Sequence, residues 1–183
     1  NDDVNATLVT AGIETLNIAI GASAAVTANS GDVQLNVASV DAATITVSGG
    51  KATEDLDLTG GAAAILNAAT TTVDASTYNG SLTVTAQTNA ATTITTKGTG
   101  VATLTGSTGA DTFTIGSSAL THVIVMGSGT DTLNITSSGT TPLTSSTGVE
   151  IFNITVAAGA TSRVDAATSN FFNAAGTTTV NVL

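Results

Sequence analysis

The chain has 183 residues, of which 42% are hydrophobic, and its 13 acidic residues against 3 basic ones give a formal net charge of −10. This balance argues against a nucleic-acid partner, because binding to phosphate depends on Lys and Arg, and it suits divalent cations. No apolar stretch approaches the roughly 18 residues of a membrane-spanning helix. The chain has no cysteine, so bound metal is the obvious substitute for disulfides.

Short strands are predicted along most of the chain, because apolar and polar residues alternate with period two and glycine turns separate the runs. The clearest runs are, in chain order, 44–47, 82–86, 102–106, 112–116 and 132–136. About a fifth of the residues are threonine, which favours strand over helix. The best helical candidate is the alanine-rich stretch 61–69, and Pro142 lies in a predicted loop. This pattern predicts an all-β solenoid, sandwich or barrel.

A repeated unit separates these options. The pattern Gly-x-acid-x-apolar-Asn/Thr occurs four times, with its acids at Glu14, Asp111, Asp131 and Glu150. The last three acids are 20 and 19 residues apart, about one coil of two strands and two turns. The repeats therefore favour a β-solenoid, or parallel β-helix, with a β-sandwich as the alternative. We expect residues 1–183 to form a single repeat domain and to be a fragment of a longer chain.

Two of these repeats match the calcium-binding nonapeptide G-G-x-G-x-D-x-U-x of RTX β-rolls. Residues 106–114 depart from it at Ser107, and residues 126–134 depart at Met126. Glycine allows the positive φ that turns carbonyl groups inward, and calcium takes six to eight oxygen ligands. The expected calcium-site residues are Asp111 and Asp131 together with the turn glycines Gly106, Gly109, Gly127 and Gly129. Phe113 and Leu133, at the eighth position, should point into the core.

Other carboxylates are further candidates. Glu150 and Glu14 lack the preceding glycine pair, so they either bind the cation with another geometry or cap a coil. Asp74 stands in a Val-Asp-Ala unit that recurs at Asp41 and Asp165. These aspartates either contribute to calcium sites or accept hydrogen bonds from backbone amides in turns.

Residues suited to catalysis are scarce. His122 is the only histidine and lies in a strand-like run, where a packed or surface role is expected. Asp55 and Asp57 could share a cation, although a solvated face is the simpler interpretation. Aromatic residues make up 3% of the chain, too few for the platform of a glycosidase, and zinc would need further His or Cys ligands. The chain is therefore not expected to be an enzyme.

The nonapeptides resemble the RTX family, and three other segments are similar to repeats of RTX-type bacterial surface-layer proteins. These segments are GIETLNI (12–18), GVEIFNI (148–154) and the stretch 73–86. The resemblance covers most of the chain in style, and RTX-like coils, with the strongest stacking, are expected over residues 106–155. It implies a calcium-dependent structural protein that is exported by type I secretion and self-associates into a lattice on the bacterial cell surface. Anchoring to a cell-surface polysaccharide would come from another part of the chain.

Two alternatives remain open. The same repeats occur as folding spacers or adhesin modules of secreted RTX proteins. A threonine-rich solenoid could instead bind ice, as suggested by the Thr-x-Thr pairs at 83–85, 103–105 and 112–114. Ice binding requires those threonines on one flat face at constant spacing, and their intervals along the sequence are irregular, so it ranks third.

Overall fold

The computed structural model describes residues 4–20, 33–40, 42–50, 55–57, 70–86, 90–118, 122–137, 145–158 and 179–183. Within these ranges the chain forms fifteen strands and no helix, and no helix there is long and apolar enough to cross a membrane. The helical candidate at 61–69 and the loop containing Pro142 lie outside the described residues. So do Asp41 and Asp165.

The strands are short. They are β1 Val4–Thr10, β2 Thr15–Ile20, β3 Val33–Val40, β4 Thr44–Gly49, β5 Asp55–Asp57, β6 Thr72–Tyr78, β7 Ser81–Thr85, β8 Thr93–Thr96, β9 Ala102–Thr105, β10 Thr112–Ser118, β11 Val123–Val125, β12 Thr132–Ser137, β13 Ser145–Thr147, β14 Ile151–Val156 and β15 Thr179–Val182.

The strands form two parallel sheets. Sheet A contains the odd-numbered strands up to β13, in the order β1-β3-β5-β7-β9-β11-β13, and sheet B runs β2-β4-β6-β8-β10-β12-β14-β15. From β1 to β14 the chain thus passes from one sheet to the other and back, and each sheet grows by one strand at each pass, whereas β14 and β15 both lie in sheet B. Every strand pairing among them is parallel, unlike the antiparallel sheets of the sandwich alternative. We call one sheet A strand, the turn after it and the next sheet B strand a rung.

The hydrophobic core lies between the sheets, because most strands have one apolar face and one polar face. In β7, Leu82 and Val84 are buried while the threonines between and beyond them are partly exposed. Phe113 and Leu133 are both fully buried, so the prediction that they point inward is confirmed. Burial of one such side chain contributes about 1.5–3 kcal/mol, and the alternation repeats in most rungs.

The outer face of sheet B carries two columns of polar side chains. The threonine column follows the first paired residue of each strand: Thr15, Thr44, Thr72, Thr93, Thr112, Thr132, Ile151 and Thr179. The asparagine column lies two residues further on and contains Asn17, Thr46, Asp74, Thr95, Thr114, Asn134, Asn153 and Asn181. Every one of these side chains is at least partly exposed.

Amide side chains connect the rungs along the asparagine column. The Nδ2 group of Asn134 donates to Thr114 Oγ1 at 3.3 Å, and Asn153 Nδ2 donates to Asn134 Oδ1 at 2.7 Å. Asn181 Nδ2 donates in the same way to Asn153 Oδ1 at 2.7 Å. Asparagine, an unfavourable residue in strands, is thus satisfied here by its equivalents in neighbouring rungs.

Candidate metal-binding turns

Two six-residue turns stack on each other at one side of the fold. The first turn, residues 106–111, connects β9 to β10, and the second turn, residues 126–131, connects β11 to β12. The strands before and after them are in register, with Thr105 opposite Val125 and Thr112 opposite Thr132. The two nonapeptide matches therefore occupy equivalent positions in adjacent rungs.

The turn glycines are required for two different reasons. Gly127 and Gly129 have positive φ values of 98° and 148°, which side chains rarely adopt. The expectation of positive φ is wrong for Gly106 and Gly109, which have no such value. At these two positions it is space that excludes a side chain: a Cβ at Gly106 would lie 2.2 Å from the carbonyl oxygen of Met126.

The four acids of the repeated unit lie in one column, each directly before a strand of sheet B. Glu14 precedes β2, Asp111 precedes β10, Asp131 precedes β12 and Glu150 precedes β14. The register of those strands makes the four positions equivalent. The acids of the unit were therefore correctly identified as structural equivalents, and we call this set the acid column.

Three of these carboxylates connect consecutive rungs. Asp111 Oδ1 accepts a hydrogen bond from the Thr92 amide at 2.7 Å, and Thr92 holds the same column position one rung earlier. Asp131 Oδ1 accepts one from the Asp111 amide at 2.8 Å. Glu150 Oε2 accepts one from the Asp131 amide at 2.8 Å. Each carboxylate thus caps the backbone of the preceding rung, and hydrogen bonds of this charged kind are about twice as strong as neutral ones.

Asp111 is completely buried, and protein groups donate to both of its oxygens. Besides the Thr92 amide on Oδ1, the Ser107 amide donates to Oδ2 at 2.6 Å. The Ser107 hydroxyl lies 3.1 Å from each of the two carboxylate oxygens. The carboxylate of the first turn is therefore satisfied without a cation.

Asp131 is also completely buried, but one of its oxygens has no partner. Oδ1 accepts the Asp111 amide, whereas Oδ2 makes no hydrogen bond. The pKa of Asp131 is raised to about 6, chiefly by burial and also by the negative charges of Asp111 and Glu150, against the lowering effect of the hydrogen bond from the Asp111 amide. A buried carboxylate oxygen without a donor costs free energy, and a bound cation would remove that cost.

The donor chemistry at Asp131 fits calcium, which prefers hard anionic and carbonyl oxygens. Among the described residues, no group of three or more His, Cys, Asp or Glu side chains is arranged to hold a metal ion. Most ligands of a calcium ion at these turns would therefore be backbone carbonyls and water, with Asp131 supplying the anionic oxygen.

Glu150 and Glu14 occupy shorter turns. The turn before β14 has three residues, with Gly148 at φ 70° and Val149 buried, so Glu150 reaches back to cap the Asp131 amide. Of the two roles predicted for Glu150, binding a cation or capping a coil, the cap is the one that these contacts provide. Glu14, in the first described rung, is exposed.

Asp74 lies away from the turns. It belongs to the asparagine column, and its Oδ1 accepts a hydrogen bond from the Ser76 amide at 3.0 Å. Hydrogen bonds from Ser76 lower the pKa of this carboxyl group. The structure therefore does not bring Asp74 to Asp111 and Asp131. Asp55 and Asp57 lie on β5, in sheet A.

His122 is buried beside the backbone of the preceding rung. Its Nδ1 accepts a hydrogen bond from the Ala102 amide at 3.0 Å, and burial lowers its pKa. The side chain is 2% exposed, so of the packed and surface positions that its sequence context predicts, it has the packed one.

Sequence reasoning missed the contribution of Ser107. The only signal was the serine itself, which replaces a glycine of the nonapeptide.

No family model matches the sequence, and neither curated proteins nor solved structures show significant similarity to it.

Proposed function

We propose that the chain is a β-solenoid with RTX-like turns and that it is a structural component of a bacterial surface layer, folding and assembling with calcium. The alternation of strands between sheets A and B, each extended in chain order, supports the solenoid. In such folds each repeat is held mainly by its two neighbours, as the acid column and the asparagine column hold the rungs here.

The observation that carries the calcium proposal is the unpartnered, buried Oδ2 of Asp131. Burial raises the pKa of Asp131, and the charges of Asp111 and Glu150, its two neighbours in the acid column, raise it as well. Bound calcium would supply positive charge there and stabilise the stacked turns over the unfolded chain.

Charge also connects calcium to assembly. A net charge of −10 keeps separate copies apart through mutual repulsion. Calcium bound at the turns reduces this repulsion, so it promotes both folding of a copy and contact between copies. Repetitive outer faces, such as the two columns of sheet B, suit the repeated contacts of a lattice.

Light scattering during a calcium titration, with magnesium as the control, tests this function. Growth of large particles with calcium alone is expected, and the Asp131→Asn variant should need more calcium for the same growth. A chain that stays monomeric while its melting temperature rises with calcium would instead identify an RTX spacer or adhesin module. No response in size or in melting temperature would overturn calcium dependence altogether.

One observation favours ice binding as a second function. The Thr-x-Thr pairs that are irregular along the sequence are partly brought into register: 112–114 lies on sheet B, and 83–85 and 103–105 pair on sheet A. On sheet B, seven of the eight positions in the threonine column are threonine. Adjacent members should be about 4.8 Å apart, so the threonine column is a regular row of hydroxyl groups suited to ordered water. The asparagine column should lie about 6.6 Å away, with three threonines among its eight residues.

Thermal hysteresis measurements distinguish this second function from the first. Replacing Thr95 by Lys in the middle of sheet B should abolish hysteresis if the array binds ice. Thr103→Lys on sheet A is the matched control and should retain it. Absence of hysteresis in the unmodified chain would exclude this function and leave the surface-layer proposal untouched.

A further inference from the structure

The first and second turns form a matched pair within one molecule. They have the same length, stack in register and end in equivalent, completely buried aspartates. At the second position of each turn, however, the first turn has Ser107 and the second has Gly127. The hydrogen bonding of the two aspartates differs as well. Both oxygens of Asp111 have a donor, whereas one oxygen of Asp131 has none.

Ser107 closes the first turn through several contacts. Its amide donates to Asp111 Oδ2 at 2.6 Å, and its hydroxyl accepts the Gly109 amide at 2.9 Å. The same hydroxyl lies 2.7 Å from the Ala90 carbonyl oxygen and 3.1 Å from each oxygen of Asp111. Its single proton can be donated either to the Ala90 carbonyl, the nearest acceptor, or to the Asp111 carboxylate. The glycine of the nonapeptide has no such proton.

The second turn cannot use the same solution. A Cβ at Gly127 would lie 1.9 Å from the carbonyl oxygen of Ser107, and its φ of 98° is unfavourable for a side chain. The stacking of the first turn on the second therefore requires glycine at position 127. That glycine has no hydroxyl to offer to Asp131.

We infer that Ser107 replaces a cation at Asp111, so that the paired turns respond to calcium through Asp131 and not through Asp111. This inference rests on the calcium binding proposed above and adds that the two nonapeptide matches are unequal. Ser107 acts as a positioning residue: it holds the first turn closed and keeps donors directed at the Asp111 carboxylate. Replacement of Ser107 by glycine, which restores the nonapeptide pattern, should open the first turn to calcium.

Isothermal titration with calcium on four single variants of the whole chain tests this inference. Asp131→Asn should weaken calcium binding about tenfold or more, whereas Asp111→Asn should change the affinity by less than about threefold. Ser107→Gly should increase the number of calcium ions bound per chain. Asp74→Asn, away from the turns, is the matched control for loss of one carboxylate and should behave as the unmodified chain.

Melting curves of the calcium-free proteins establish that each variant folds. If Asp111→Asn does not fold, the Ser107→Gly variant still tests the inference, because it retains both aspartates. Equal losses of affinity in Asp111→Asn and Asp131→Asn, or an unchanged calcium number in Ser107→Gly, would overturn the inference while calcium binding itself stands. No calcium binding by the unmodified chain would instead overturn the proposed function, and the inference with it.

Discussion

The first described rung and the central rungs use the same repeated unit in different surroundings. In the first rung, Glu14 is exposed and Leu16 is half-buried. In the rung of β9 and β10, the equivalent Asp111 and Phe113 are both 0% exposed. The acid column and the register place these pairs at matching positions, so the contrast does not arise from the unit itself.

This difference shows that the burial and the hydrogen bonds of a rung depend on the rungs next to it. Asp111 receives the Thr92 amide from the preceding rung, and its own amide is capped by Asp131 of the following rung. β2 is the outermost described strand of sheet B and pairs with β4 alone. In repetitive folds stability is a sum of contributions from repeats and from contacts between adjacent repeats, so equal motifs contribute unequally.

The largest effect is expected in the core. Phe113→Ala should lower the free energy of unfolding by about 3–5 kcal/mol, because a fully buried ring leaves a cavity. Leu16→Ala should cost about 1 kcal/mol, since that side chain is only half-buried and loses less transfer free energy. Urea unfolding followed by circular dichroism measures both values. Similar losses in the two variants would contradict the difference between the rungs.

The next effect concerns the acid column. Asp111→Ala removes the acceptor of the Thr92 and Ser107 amides and leaves them buried without partners, which should cost about 2–4 kcal/mol. Glu14→Ala, at the exposed end of the same column, should change stability by no more than about 0.5 kcal/mol. The same urea experiment in calcium-free buffer provides the comparison. A cost at Glu14 equal to that at Asp111 would mean that the hydrogen bonds between rungs contribute little.

The smallest effect is expected in the dependence of stability on pH. The pKa of Asp131 is raised from 3.8 to about 6 in the folded chain, so its contribution is fully present below pH 3.8 and is lost as the pH rises through 6. His122 acts in the opposite direction: its pKa is lowered from 6.5 by burial, so its contribution is present above pH 6.5 and is lost on acidification.

Melting temperatures between pH 4 and pH 7 in calcium-free buffer separate the two groups. The melting temperature of Asp131→Asn should no longer show the fall towards pH 7 that the raised pKa of Asp131 produces. His122→Asn, which keeps an acceptor for the Ala102 amide, should lose the decrease towards pH 4. A profile of Asp131→Asn identical to that of the unmodified chain would contradict the role of Asp131.

Much of the fold could be predicted from the sequence, because alternation and spacing reflect simple geometry. The intervals of 20 and 19 residues between Asp111, Asp131 and Glu150 place each of them at the same point of successive rungs. Alternation likewise places Phe113 and Leu133 inside. Both inferences require only that strands have period two and that repeats stack.

The details of the site could not be predicted, because they depend on contacts between rungs that are distant in sequence. Ser107 contacts Asp111 within its own turn but also Ala90 of the preceding rung. Asp74 has a carboxylate, as the turn acids do, but it lies on the outer face of a strand. The threonine column is hidden in the sequence, since connections of different lengths separate strands that are nevertheless in register.

The sharing of one register by whole rungs also determines how such a chain can change in length. β9 and β11 are 20 residues apart at their paired positions, and so are β10 and β12 from Thr112 to Ile115. Removing residues 112–131 would join Asp111 to Thr132. Each residue of the remaining strands would then still be opposite a residue of its own column. Duplicating the segment would add one step of about 4.8 Å along the stack. The length of the stack can therefore change in steps of one rung, and the gain or loss of a rung leaves the pairing of the other rungs unchanged.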